Sequence, residues 1–156
     1  HVILRPHTMS YRYDKKIIKD LEVKYNENEN FEIDADLRSF KSFNESFTMI
    51  SDWSGAAIEF AFSKCYPVIF IDTVPKTNNN NWSKLDLPCF EDTIRDKIGY
   101  IVSEKNIESI NTIINDINDL EIKKNWQEKI LKIRGQSIYN IGHSCSIGTK
   151  MILDNI

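Results

Sequence analysis

The stretch Ile50–Asp72, ISDWSGAAIEFAFSKCYPVIFID, limits the possible folds of this chain more than any other part of it. Phe47–Ile50 reads as a β-strand. Ser54–Lys64 repeats apolar residues at helical spacing, with Ala57, Ile58, Ala61 and Phe62 on the face expected to be buried. Pro67–Ile71 is a continuous apolar run, the pattern of a strand covered on both sides. Strands alternating with helices predict an α/β domain with a mostly parallel sheet.

The rest of the chain repeats that alternation. Val2–Leu4 is a short strand. Ile17, Ile18, Leu21 and Tyr25 lie at helical spacing, with Asp14 placed to cap that helix. Phe31–Ile33 is a second short strand, and a short helix is expected around Leu37–Phe43. A long loop carries the run Asn78–Asn81. A short helix then leads into a strand at Gly99–Val102. Ile107–Leu120 and Ile122–Ile133 read as amphipathic helices, and Ser146–Ile156 as a last helix. A chain of 156 residues is expected to form one domain, spanning 1–156. It opens on HVILRPHT, a strand pattern with no preceding Met, so a C-terminal portion of a longer protein is expected.

Composition narrows the classes of partner. The net charge is −3, which argues against bulk attraction to nucleic acid. Cys65, Cys89 and Cys145 are odd in number and far apart, which fits neither a disulfide framework nor a C-x-x-C metal site. Reduced thiols and a cytoplasmic location are expected. No apolar run is long enough to span a bilayer.

In parallel α/β sheets, ligands sit at the carboxyl ends of the strands, so the strand-to-helix joints are the places to search. The joint Ser51-Asp52-Trp53-Ser54-Gly55 opens a helix whose first amides have no intrahelical partner. Those donors and the helix dipole favour a phosphate. Gly55 lets an anion approach the backbone, and the Ser51 and Ser54 hydroxyls add donors. Glu59, one turn on, is within reach of a sugar hydroxyl. The competing reading is that Asp52 or Ser54 caps the helix and Glu59 is merely solvated. A nucleophile elbow needs G-x-S-x-G, and both glycine positions around Ser54 fail.

The other polar joint is Arg5-Pro6-His7. Arg5 can hold phosphate oxygens with two parallel hydrogen bonds, and His7 can donate to a phosphate or exchange a proton near neutral pH. Equally, Arg5 can pair with a carboxylate and His7 can be a satisfied loop residue. His143 reads as a structural or helix-start residue, Asp72 as a strand end at the same sheet edge, and Lys76 and Trp82 as lid or surface residues.

RPH after a strand, followed downstream by SDWSGAAIEFAFSKCYPVIFID, resembles the C-terminal half of the CDP-glycerol glycerophosphotransferase family. The family hallmark is similar to SDYSS…FDF…KPIIFY. Its counterparts are Ser51-Asp52-Trp53-Ser54-Gly55, Glu59-Phe60 and Tyr66-Pro67-Val68-Ile69-Phe70, and Arg5-Pro6-His7 resembles the K/R-x-H element. The likeness covers residues 2–103. It departs from the pattern at Thr8, where Pro is common, at Gly55, which replaces the second serine, and at Glu59, where Asp is frequent.

The resemblance implies a Rossmann-like three-layer domain, the C-terminal half of a GT-B glycosyltransferase. It implies an enzyme of teichoic acid or capsular polymer synthesis, acting at the inner face of the cell membrane. A glycerophosphate-type or glycosyl group would pass from a nucleotide-diphosphate donor to a polymer or lipid-linked acceptor. The departures leave the donor open among CDP-glycerol, CDP-ribitol and a nucleotide sugar. Ser51, Asp52, Ser54, Gly55 and Glu59 would bind the donor nucleotide, and His7 and Arg5 would assist departure of the nucleotide. The general base would come from an N-terminal domain outside this sequence. The portion alone is expected to bind nucleotide weakly and catalyse nothing. No metal and no cofactor beyond the donor is expected.

Other readings share the fold: a GT-B sugar transferase, a UDP-sugar epimerase, or a non-catalytic nucleotide-binding module. The basic helix KKNWQEKILKIR, Lys123–Arg134, could touch an anionic membrane surface. Packing of Trp126, Ile130 and Ile133 into the core is the favoured alternative.

Overall fold

A computed structural model describes residues 1–36, 38–75, 81, 84 and 87–156. Lys76 and Trp82 lie outside the described residues, as does Leu37. The chain packs as two compact units, His1–Ser46 and Phe47–Ile156.

The first unit pairs β1 (Val2–Leu4) in parallel with β2 (Phe31–Ile33), Val2 beside Phe31 and Leu4 beside Ile33. The parallel pairing requires a crossover, and α1 (Thr8–Tyr13) and α2 (Lys15–Tyr25) supply it. The sequence pattern did not signal α1, which carries no buried residue. Asp14 stands at the start of α2, as expected, but its side chain makes no capping hydrogen bond. The Tyr25 and Phe31 rings pack at 4.9 Å, joining the end of α2 to β2. The short helix expected near Leu37–Phe43 is α3, Lys41–Glu45, and buries Ser42 and Phe43.

The second unit holds three parallel strands in the order β3–β4–β5: Met49–Ser51, Val68–Asp72 and Gly99–Ser103. Ser51 lies beside Phe70, and Asp72 beside Ser103. α4 (Gly55–Lys64) links the first two strands and α5 (Phe90–Ile98) the last two. A 3-10 turn (Glu104–Ser109) leads to α6 (Ile110–Asn118), followed by α7 (Leu120–Ser137) and α8 (Ser144–Leu153).

Strand alternation sorts the core of the second unit into two faces. Ile69, with Val102 of β5, packs on Ile117 of α6, and Ile71, Tyr100, Ile110, Ile113 and Ile114 close around them. Phe70 points the other way, under Arg95 of α5. α4 and α7 pack beside α5. Helices thus cover both faces of β4, which explains its unbroken apolar run: Val68, Ile69 and Phe70 are all buried. Each such side chain contributes roughly 1.5–3 kcal/mol on burial. α4 buries Ala57, Phe60, Ala61 and Phe62, while Ile58 is only partly covered.

Local chemistry sets the helix ends. α4 stops at Cys65, whose φ of 54° and ψ of 36° are left-handed, and Pro67 two residues on blocks continuation. Asp119 caps α7 by accepting from the Glu121 and Ile122 amides at 2.9 and 3.1 Å. α7 begins beside α6, where the Trp126 Nε1–H donates to the Tyr100 hydroxyl at 2.9 Å. It continues to α4, where Arg134 donates to the Phe62 carbonyl at 2.7 Å. Ile130 is fully buried between these ends. No helix among the described residues is long and apolar enough to cross a membrane.

Candidate functional site

The joint between β3 and α4 lies at the carboxyl end of the three-stranded parallel sheet. Ser51 ends β3, Ser54 is the N-cap of α4 and Gly55 its first helical residue. Ser54 has the extended backbone of an N-cap, φ −149° and ψ 128°, yet its side chain makes no capping hydrogen bond. The first amides of α4 therefore lack the side-chain acceptor that a serine at this position usually supplies. Gly55 is exposed, and a β-carbon built on it meets no described residue within 4 Å. Ser51, Asp52 and Ser54 are half-buried, and Glu59 is exposed one turn along the helix.

Trp53 fixes this joint to the neighbouring strand. Its Nε1–H donates to the Thr73 carbonyl, just beyond β4, at 2.8 Å. The Arg95 guanidinium of α5 lies 3.8 Å over its ring and 5.2 Å from the Phe70 ring. Arg95 is only 5% exposed. Its Nη1 reaches Asp72 Oδ1 at 3.4 Å and its Nη2 the Ile71 carbonyl at 3.5 Å. Asp72, noted in the sequence as a strand end, is thus the carboxylate facing Arg95. Arg95 itself was missed. Its only sequence signal is a cation one position off the Ile94/Ile98 stripe of a helix leading straight into a strand.

Arg5 and His7 belong to the first unit. Arg5 Nη1 donates to Asp34 Oδ2 at 3.2 Å, to the Ser39 carbonyl at 2.7 Å and to the Ser42 hydroxyl at 2.8 Å. Its guanidinium also lies 5.3 Å over the Phe43 ring. A hydrogen bond from Ser42, opposed by burial and joined by the Asp36 amide and the Arg5 charge, holds the Asp34 carboxyl below its ordinary range. The carboxylate pairing weighed from sequence is therefore present. His7 is exposed and caps α1, its Nδ1 accepting from the Met9 amide at 3.2 Å. In the neutral ring the proton is then on Nε2. His143 starts α8 and is exposed, with no side-chain capping bond.

Among the described residues, no three or more His, Cys, Asp or Glu side chains gather as a metal would require. No protein-family model, no curated protein and no solved structure matches the chain.

Proposed function

We propose that the second unit binds a nucleotide-diphosphate donor at the β3–α4 joint. In this reading the chain serves a transferase that moves a glycerophosphate-type or glycosyl group to a cell-surface acceptor. One observation carries the reading. An α-helix N-terminus that its own N-cap serine, Ser54, does not cap stands at the carboxyl edge of a parallel sheet, with no described residue over its first residue, Gly55. The Gly55 amide and the Ser51 and Ser54 hydroxyls would hold diphosphate oxygens, and Glu59 the ribose. The GT-B architecture and the CDP-linked donor rest on the resemblance of Ser51–Phe70 to the glycerophosphotransferase hallmark. His7 could present Nε2–H to an anion. Arg5, already bonded to three acceptors, supports its own joint in any case.

Calorimetric titration with CDP, CDP-glycerol, UDP and a UDP-sugar tests this. Gly55→Ala is the informative variant. Its methyl meets no described residue within 4 Å and alanine favours a helix, so the variant should melt no lower than wild type. Cytidine-nucleotide binding lost in Gly55→Ala and weakened in Ser54→Ala is the expected result. Preference for uridine nucleotides would indicate a sugar transferase or epimerase. Binding indifferent to both substitutions would remove the joint from the site.

A further inference from the structure

Two polar groups at the carboxyl end of β4 are buried with no hydrogen-bond partner among the described residues: Arg95 Nε and the Thr73 hydroxyl. Arg95 is a cation withdrawn from water, and such a group persists only when compensated. Its compensation here is thin. The contacts to Asp72 and Ile71, at 3.4 and 3.5 Å, are at the outer limit of hydrogen bonding. The Ile71 carbonyl already accepts from the Thr73 amide at 2.9 Å. The Asp72 side chain is 52% exposed, so water screens its charge. Stacking on Trp53 and Phe70 satisfies the faces of the guanidinium and leaves its N–H edge.

We propose that Arg95 and Thr73 form an oxyanion subsite for a phosphoryl group, in which the incoming oxygens displace Asp72 from the guanidinium. An oxyanion supplies what the cluster lacks: full negative charge and acceptors matched to the planar N–H edge. The Thr73 hydroxyl donates a further hydrogen bond. Asp72 marks the solvent-facing side and occupies the subsite as a weak internal competitor. Trp53, held between Arg95 and Thr73, couples the subsite to the Ser54–Gly55 turn. The inference deepens the nucleotide-diphosphate reading and rests on it for the natural ligand, although the subsite itself recognises only phosphoryl oxygens.

The test titrates the intact chain with inorganic pyrophosphate and, separately, with CDP and UDP. Removing the competitor with Asp72→Asn should tighten pyrophosphate binding several-fold. Thr73→Val, nearly isosteric, should weaken it several-fold, and Arg95→Met should weaken it tenfold or more. Should Arg95→Met not fold, Asp72→Asn and Thr73→Val decide alone. Pyrophosphate binding that weakens or stays unchanged in Asp72→Asn would make Asp72 a structural partner of Arg95 and overturn the proposal. Nucleotide binding that is lost in Gly55→Ala but indifferent to Asp72→Asn and Thr73→Val would overturn the subsite and keep the joint. Pyrophosphate binding with the expected pattern, but nucleotides no tighter, would keep the subsite and discard the nucleotide. Wild type binding neither probe would overturn both.

Discussion

Gly99 stands so close to Val68 that a β-carbon on it would lie 2.0 Å from the Val68 carbonyl oxygen and 3.0 Å from the Phe70 ring. The two residues are partners in the β4–β5 register. Backbone cannot yield there without shifting the central strand. Gly99→Ala should therefore destabilise the second unit by about 3 kcal/mol or more. All three tryptophans lie beyond Ser46, so urea unfolding followed by tryptophan fluorescence reads this unit. A loss below about 0.5 kcal/mol, the range of an ordinary surface change, would contradict the close approach.

Asp34 gives the first unit a dependence on acid. Its carboxyl is held below the ordinary value, chiefly by the Ser42 hydrogen bond. A depressed carboxyl contributes stability above its unfolded value and loses it as pH falls through the folded value. Asp34→Asn should cost about 1–3 kcal/mol at neutral pH, because Arg5 loses its carboxylate. The gap between wild type and variant should then close below about pH 4. Far-UV circular dichroism in urea at several pH values measures it. A gap that persists unchanged at low pH would refute the assignment.

Cys65 holds a left-handed conformation that a side chain disfavours. Cys65→Gly should stabilise the end of α4 by about 0.5–1 kcal/mol. A thermal melt suffices, and a lower melting temperature would show that the thiol's packing outweighs the backbone term.

Cys89 is exposed, and its thiol donates to Glu91. The Glu91 carboxylate accepts from its thiol and raises its pKa, while the Glu91 carboxyl is lowered by the same bond. Since the thiolate is the nucleophile, Glu91→Gln should speed alkylation of Cys89 several-fold near pH 8. Mass spectrometry resolves it from Cys65 and Cys145, and an unchanged rate would rule out control by Glu91.

The second unit was the more legible in sequence. Its two βα alternations, the continuous apolar β4 and the Ser54 helix start all follow from spacing and strand burial. α1 was not legible, because six residues with no buried face carry no periodicity. The two-unit division left no composition break at Ser46 to read. At the candidate site, Ser51, Asp52, Ser54, Gly55 and Glu59 were visible because they are consecutive or one helical turn apart. Arg95 was not, because its importance lies in contacts to Trp53 and Asp72, 42 and 23 residues away in sequence (95 − 53 and 95 − 72). Pairings at that range depend on which helix covers which strand.

β4 changes character along its length: Val68, Ile69 and Phe70 are sealed, Ile71 is partly covered and Asp72 is open to water. Its amides should exchange hydrogen along the same gradient, slowest near Ile69, at a rate set by global unfolding, and fastest at Asp72 through local opening. The dry half anchors the second unit, while at the wet end sequence drift is limited by Asp72, the carboxylate that faces the buried Arg95.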